Sequence, residues 1–312
     1  MKKIRHLHLF AAGLVLLVPA LPIPSLSAQT TGKFVLTVHA KKSDVSVPVL
    51  HADDLAVTVN GEHARITSLA PLASEPIELL IAIDDGLRSS FNNQLGDLKK
   101  FLGELPENVY TAIGYMQHGQ VVLAGNGFTK DHAAVIHAIR TPTGISGVNG
   151  SPYFVISDVC RHWPSKSGIA RRELLMISDG VDRYTGLRYD PLNPYLQTAV
   201  KDAHNSNVLV DSIYYSATGM NGAGVNSGEN YLQQLANETG GYFFNEGMSE
   251  PVSITGYLQK LKTRLANQYE VEFALPKGKP MSDAKLKVKL EERTLEAEAQ
   301  DTVALKSGKS GR

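Results

Sequence analysis

Glu78-Leu79-Leu80-Ile81-Ala82-Ile83-Asp84-Asp85-Gly86-Leu87-Arg88-Ser89-Ser90 is the stretch that decides the fold of this 312-residue chain. Five consecutive apolar residues run straight into two carboxylates, a glycine and a polar turn. An apolar run of this length, closed by turn chemistry, reads as a strand buried on both faces, as in parallel sheets. Carboxylates at the carboxyl end of such a strand lie where open α/β sheets place their ligand sites.

Working outward, the segments after residue 77 alternate between strand and helix patterns. Leu95, Leu98, Phe101, Leu102 and Leu105 recur at helical spacing; Val109–Tyr115, Glu173–Ser178 and Val208–Tyr215 read as strands. Ser151-Pro152 opens a helix, with proline where the first turn tolerates it. Tyr231–Glu238 reads as a helix closed by Gly240-Gly241, and the preceding Gly219–Gly228 as a flexible polar stretch. This alternation implies right-handed crossovers and a largely parallel sheet covered on both faces.

Both ends of the chain change to period two. Leu55–Val59 and Ala64–Leu69 flank Asn60-Gly61, a strong hairpin signal because both residues tolerate positive φ. Tyr269–Leu275, Leu286–Leu290 and Leu295–Ala299 form a second β segment, and each segment alone is too small to bury its apolar face. The expected fold class is therefore α/β: a doubly wound, mostly parallel, Rossmann-like sheet with flanking antiparallel β segments from both termini. The boundaries are 1–28 for a signal peptide, 29–75 for the first β segment, 76–268 for the α/β domain, 269–305 for the second β segment and 306–312 for a polar tail.

Residues 1–28 have the layout of a secretory signal: Lys2, Lys3 and Arg5, an apolar Leu9–Leu21, then small residues up to Ala28. The apolar part is short for a membrane span; an uncleaved anchor is the alternative. The chain is formally neutral, and cleavage would leave 28 basic against 31 acidic groups, which gives no case for nucleic acid. The expected location is exported, periplasmic or secreted, with no membrane span after cleavage. With Cys160 the only cysteine, an internal disulfide is impossible.

Three loops are expected at one edge of the sheet: Asp84–Ser90, Gly147–Ser151 and Ser178–Asp182. Each carries oxygen donors beside a glycine, a set that suits a hard divalent cation such as Mg²⁺. Here the chain resembles the von Willebrand factor type A family over about Ile77–Ala266. That family's metal-ion-dependent adhesion site has Asp-x-Ser-x-Ser after the first strand, a Thr opening a later helix and an Asp-Gly after the next strand. Asp84 falls on the leading Asp. Gly150-Ser151-Pro152-Tyr153 resembles the family's Gly-Thr-Pro-Leu, and Leu175-Met176-Ile177-Ser178-Asp179-Gly180 resembles its Leu-Leu-x-Thr-Asp-Gly.

The match is degenerate, because Gly86 and Arg88 stand where the two serines belong. The resemblance implies Mg²⁺ on Asp84, Ser151 and Asp179, with one position left for the carboxylate of a protein partner. In the other version Arg88 supplies the positive charge in place of the metal, since guanidinium pairs with carboxylates. The flanking segments resemble those of a group of exported bacterial proteins related to the same family.

Rival chemistries fit less well. Asp84-Asp85-Gly86 has its carboxylates adjacent, whereas a phosphotransferase Asp-x-Asp-Gly needs them two apart. Gly144-Ile145-Ser146-Gly147-Val148 lacks the closing glycine of a hydrolase elbow, and the histidines lack zinc spacing. Ser89, Tyr184 and Tyr189 join Arg88 as candidate partner contacts, the tyrosines lying in a long loop beyond Asp179. The expectation is a non-enzymatic adhesion or protein-binding module, or else an envelope assembly protein with no ligand at this edge.

Overall fold

The computed structural model describes residues 29–42, 47–145, 150–169, 171–217, 222–245, 251–276 and 279–307. The expected signal peptide, Gly147 of the second site loop, Gly219 and residues 308–312 of the tail lie outside the described residues. Among those described, the strands are β1 (Thr30–Ala40), β2 (Leu55–Val59), β3 (Glu62–Pro71), β4 (Ile77–Asp84), β5 (Val109–Gln117), β6 (Gln120–Thr129) and β7 (Arg172–Ser178). They continue with β8 (Val208–Tyr214), β9 (Phe243–Phe244), β10 (Gln268–Leu275), β11 (Met281–Leu290), β12 (Leu295–Glu298) and β13 (Thr302–Ser307). The α-helices are α1 (Leu95–Gly103), α2 (His132–Ala138), α3 (Pro152–Arg161), α4 (Pro194–Ser206), α5 (Gly222–Thr239) and α6 (Thr255–Ala266).

The two ends of the chain build one sheet. Its order is β10-β3-β2-β11-β13-β1, and β1 pairs back onto β10, so six antiparallel strands close into a barrel with β12 added against β1. Alternation dictates the closure. Phe34, Leu36 and Val38 of β1, Val57 and Val59 of β2, Val271 and Phe273 of β10, and Val303 and Leu305 of β13 all point into one apolar core. Closing the sheet removes the exposed edges that so small an antiparallel sheet would otherwise present. The β2–β3 hairpin turns at Asn60 (φ 51°) and Gly61 (φ 85°), the left-handed pair that a two-residue turn requires.

The second sheet has the order β6-β5-β4-β7-β8-β9. Its pairings are parallel from β5 through β9, while β6 runs antiparallel to β5 across His118-Gly119, so the sheet is mixed. Central β4 is buried at every residue. Leu79, Ile81 and Ile83 pack with Leu98, Phe101, Val135 and Leu261 on one side; Leu80 and Ala82 pack with Val155, Ile156, Leu196 and Tyr231 on the other.

The expected doubly wound, mostly parallel, Rossmann-like sheet with flanking segments is therefore corrected. The molecule is a closed antiparallel barrel plus a mixed sheet. The two terminal segments supply seven of the thirteen described strands, and their apolar faces close on each other in one barrel instead of flanking the α/β part. The reading of Gly219–Gly228 as flexible is also corrected from residue 222 onward, because α5 begins at Gly222. Helix propensity argues against glycines there, but close approach overrides it. A Cβ on Gly228 would stand 1.8 Å from the Asp179 carbonyl oxygen, so glycine lets α5 lie against the end of β7. No helix among the described residues is long and apolar enough to cross a membrane.

Candidate functional site

Asp84 is the last residue of β4 and Asp85 the first beyond it, and the pleat sends them opposite ways. Asp85 is buried and saturated. It accepts from Arg140 Nη1 (2.6 Å), Gln117 Nε2 (2.5 Å), the Thr143 N–H (3.1 Å) and Thr143 Oγ1 (3.0 Å). Burial pushes its carboxyl up, but the hydrogen bonds led by Arg140 outweigh burial and hold it below the usual range. Asp85 thus pins the segment after α2 to the end of β4, and Arg140 in turn lies over the Tyr115 ring, 3.6 Å from its centroid.

Asp84 is 6% exposed. Its Oδ1 accepts the Gly86 N–H (2.9 Å) and its Oδ2 accepts Ser178 Oγ–H (2.8 Å) from the end of β7. Burial and, next, the negative charge of Asp179 push its pKa up to about 6. Two carboxylates have been brought together in a dry place, and the charge of Asp179 makes Asp84 harder to ionise.

Asp179 follows β7. Its Oδ1 accepts the Val181 N–H (3.0 Å), and Arg183 Nη2 reaches its Oδ2 at 2.5 Å. Gly180 takes φ +67°, and its carbonyl accepts the Tyr153 hydroxyl (2.6 Å). The Arg183 N–H donates to the Gly150 carbonyl at 2.8 Å. These two bonds lock the start of α3 against the turn after β7.

Ser151 is the residue before α3. Its side chain makes no capping bond, it is 0% exposed, and its Oγ has no hydrogen-bond partner among the described residues. A buried hydroxyl without a partner costs about 1–3 kcal/mol, and N-terminal serines ordinarily spend theirs on the helix. This one is withheld from it.

The structure thus brings Asp84 and Asp179 together and ties the turn that carries Ser151 to the one after Asp179. Arg88 goes elsewhere: its Nη2 donates to Ser216 Oγ (2.7 Å) and the Ala217 carbonyl (3.0 Å) beyond β8. The guanidinium on Asp179 is that of Arg183. Ser89 is exposed, and it is Ser90 whose Oγ meets the Tyr215 hydroxyl (3.2 Å). Tyr189 leans on Tyr231 (4.9 Å between centroids) and donates to Gln234 Oε1 (2.8 Å), facing α5. Tyr184 borders the site. It is 65% exposed, its ring stacks edge-on with Phe154 at 5.2 Å, and a Cβ on Gly150 would touch that ring.

Arg183 is absent from the sequence-based site, and Ser178, placed there only as part of its loop, turns out to hold Asp84. Their signal was proximity: Ser178 directly precedes Asp179, and Arg183 follows it by four residues.

The donors suit Mg²⁺ in type, being carboxylate and hydroxyl oxygens, and the orphaned Ser151 Oγ is a buried acceptor awaiting a partner. The fit is partial in charge, because Arg183 already balances Asp179. Among the described residues no group of three or more His, Cys, Asp or Glu side chains is gathered; two carboxylates are completed here by hydroxyls.

No family model and no curated protein matches the chain. Among solved structures it is similar to the conserved hypothetical protein BatB from Bacteroides thetaiotaomicron: 15% identity over 61% of this chain and 97% of that one, TM-score 0.44. It is similar to a von Willebrand factor type A protein from Catenulispora acidiphila, with 10% identity over 89% and 72% of the two chains and TM-score 0.43. A third is the manganese-loaded TRAP protein of Plasmodium vivax, with 12% identity over 75% and 96% and TM-score 0.42. Likenesses this distant bear on neither partner nor chemistry.

Proposed function

We propose that the chain is an exported, non-enzymatic protein-binding module of von Willebrand factor type A character. In this reading it captures a carboxylate of a protein partner where β4 and β7 end. The observation that carries it is Ser151 Oγ, fully buried and without a hydrogen-bond partner, at a helix start tied to the turn after Asp179. Asp84, Ser151 and Asp179 would hold Mg²⁺, which when bound supplies a coordination position for the partner's carboxylate. Of the chain's own residues, Ser178 orients Asp84, Gly86 fixes its other oxygen and Arg183 holds Asp179 in place. The saturated state of Asp85 supports binding over phosphotransfer, because a carboxylate held by Arg140, Gln117 and Thr143 has no freedom to act as acid or nucleophile.

The rival reading, an envelope assembly protein with no ligand at this edge, draws on Arg183, which already neutralises Asp179. Calorimetric titration with Mg²⁺ and Mn²⁺ separates the two. The binding reading expects saturable heat, abolished in Asp84→Ala and weakened in Ser151→Ala while circular dichroism stays unchanged. Heat that is absent, or the same in Asp84→Ala, rules out the metal site.

A further inference from the structure

A cavity of about 750 Å³ lies away from the candidate site, where the end of β1 and β12 of the barrel face α6 and β9. Its volume falls in the range of small-molecule sites, about 300–1,000 Å³. Aromatic rings make one part of the wall: Tyr242 and Phe244 pack with centroids 4.8 Å apart, Phe244 buried and Tyr242 half-buried.

Beside them the wall carries Arg264, 4% exposed, its guanidinium carbon 5.1 Å from the Tyr242 centroid. Arg264 is held from behind by Glu298 and, through its Nε, by Asp211 (3.5 Å), while its buried Nη2 donates no hydrogen bond to any described atom. Lys41, Lys42 and Lys260 also line the cavity, and none of the three is ion-paired with a described residue. Among the described lining residues the one carboxylate, Glu296, is taken by His39 Nε2 at 3.1 Å.

A half-open wall of two rings, a buried guanidinium with one nitrogen unbonded and three ammonium groups not ion-paired with any described residue selects for negative charge and an apolar body together. Guanidinium favours planar oxyanions, and ammonium groups supply long-range attraction. Aromatic faces reward a flat partner. We infer that this seam cavity is a binding site for a small organic anion with a flat apolar body, of the class of aromatic carboxylates and sulfonates. Bare inorganic anions leave the rings uncovered, and neutral aromatics leave the cations unanswered.

The test is a fluorescence titration of the full chain with 1-anilinonaphthalene-8-sulfonate, with near-UV circular dichroism recorded to confirm native packing. The expected result is one saturable site. Benzoate displaces the probe, whereas inorganic phosphate and benzyl alcohol at the same concentration do not. Lys260→Glu and Tyr242→Ala, on an exposed and a half-buried side chain, each weaken the probe by about tenfold, the scale of one lost charge or ring contact. Asp84→Ala leaves it unchanged, which separates this cavity from the candidate metal site. Binding untouched by both Lys260→Glu and Tyr242→Ala overturns the assignment. So does equal displacement by phosphate, which would mean a mere basic patch, or by benzyl alcohol, which would mean a mere apolar one.

Discussion

Two places on the mixed sheet bury carboxylates beside an arginine, and they treat them in opposite ways. At the seam with the barrel, Asp211 of β8 and Glu173 of β7 face Arg264 from α6, which also pairs with Glu298 of β12. Gln268 of β10 donates to Glu173 (2.9 Å), and Arg171 donates to Gln268 and to the carbonyls of Leu72 and Leu265. Every one of these bonds joins segments distant in the chain. At the other end of the strands, Asp179 is met by Arg183 from its own loop, Asp84 by Ser178 from the neighbouring strand, and Ser151 by nothing described. The seam uses its polar groups to hold two parts together. The edge leaves one polar group unspent and an acid pair in mutual repulsion, an arrangement that costs stability and that functional sites typically carry.

The largest expected effect breaks the seam. Arg264→Met leaves Asp211, Glu173 and Glu298 without their cation, and removing one partner of a buried pair costs about 3–5 kcal/mol. Urea unfolding should show that loss; a loss below about 1 kcal/mol would show that the seam is not held by charge.

Next is Asp84→Asn in a chelator-containing, metal-free buffer. The pKa of Asp84 rises from 3.8 unfolded to about 6 folded, so the folded chain binds the extra proton between those values and stability falls as pH climbs through them. The asparagine variant escapes that fall. It should equal the parent near pH 4 and exceed it progressively up to about pH 6, by about 3 kcal/mol for two units at 1.36 kcal/mol each. Thermal melts at pH 4, 5, 6 and 8 give the profile; an advantage that shrinks as pH rises contradicts the repulsion of Asp84 by Asp179.

Smaller again is Gly228→Ala. Its Cβ would meet the Asp179 carbonyl, forcing α5 off β7 at a cost of about 1–3 kcal/mol. Any divalent-cation heat should weaken with it, because the Asp179 turn moves. Smallest is Tyr184→Ala at the rim, expected to change unfolding free energy by no more than about 0.5 kcal/mol, since the ring is mostly in solvent. A large drop would make Tyr184 part of the core rather than of a contact surface.

Much of the edge was legible because its signals are local. Leu79–Ile83 is a strand on its own evidence of burial, Ser178-Asp179-Gly180 is a turn on its own chemistry, and Pro152 marks a first helical turn wherever it docks. The choice between Arg88 and Arg183 was not legible. Both are long cations near an acidic turn, and only the bridge of Leu87 with Ala217, which carries Arg88 toward Ser216, decides between them. The two fates of Asp84 and Asp85 also depend on partners 30 to 60 residues away, Gln117, Arg140 and Thr143, which no local pattern reveals.

The sequence alone determined the type and order of most strands and helices, because periodicity, proline and glycine act within a few residues. It determined that oxygen donors follow two buried strands. Only the tertiary structure decided that the terminal segments close into a barrel. That outcome rests on β1 meeting β10, with Phe34 opposite Val271, a pairing paid for by apolar area that neither segment buries alone. Tertiary contact likewise decided which carboxylate is saturated, which arginine guards the edge, and that the Glu78–Ser90 stretch ends in one spent acid and one held in reserve.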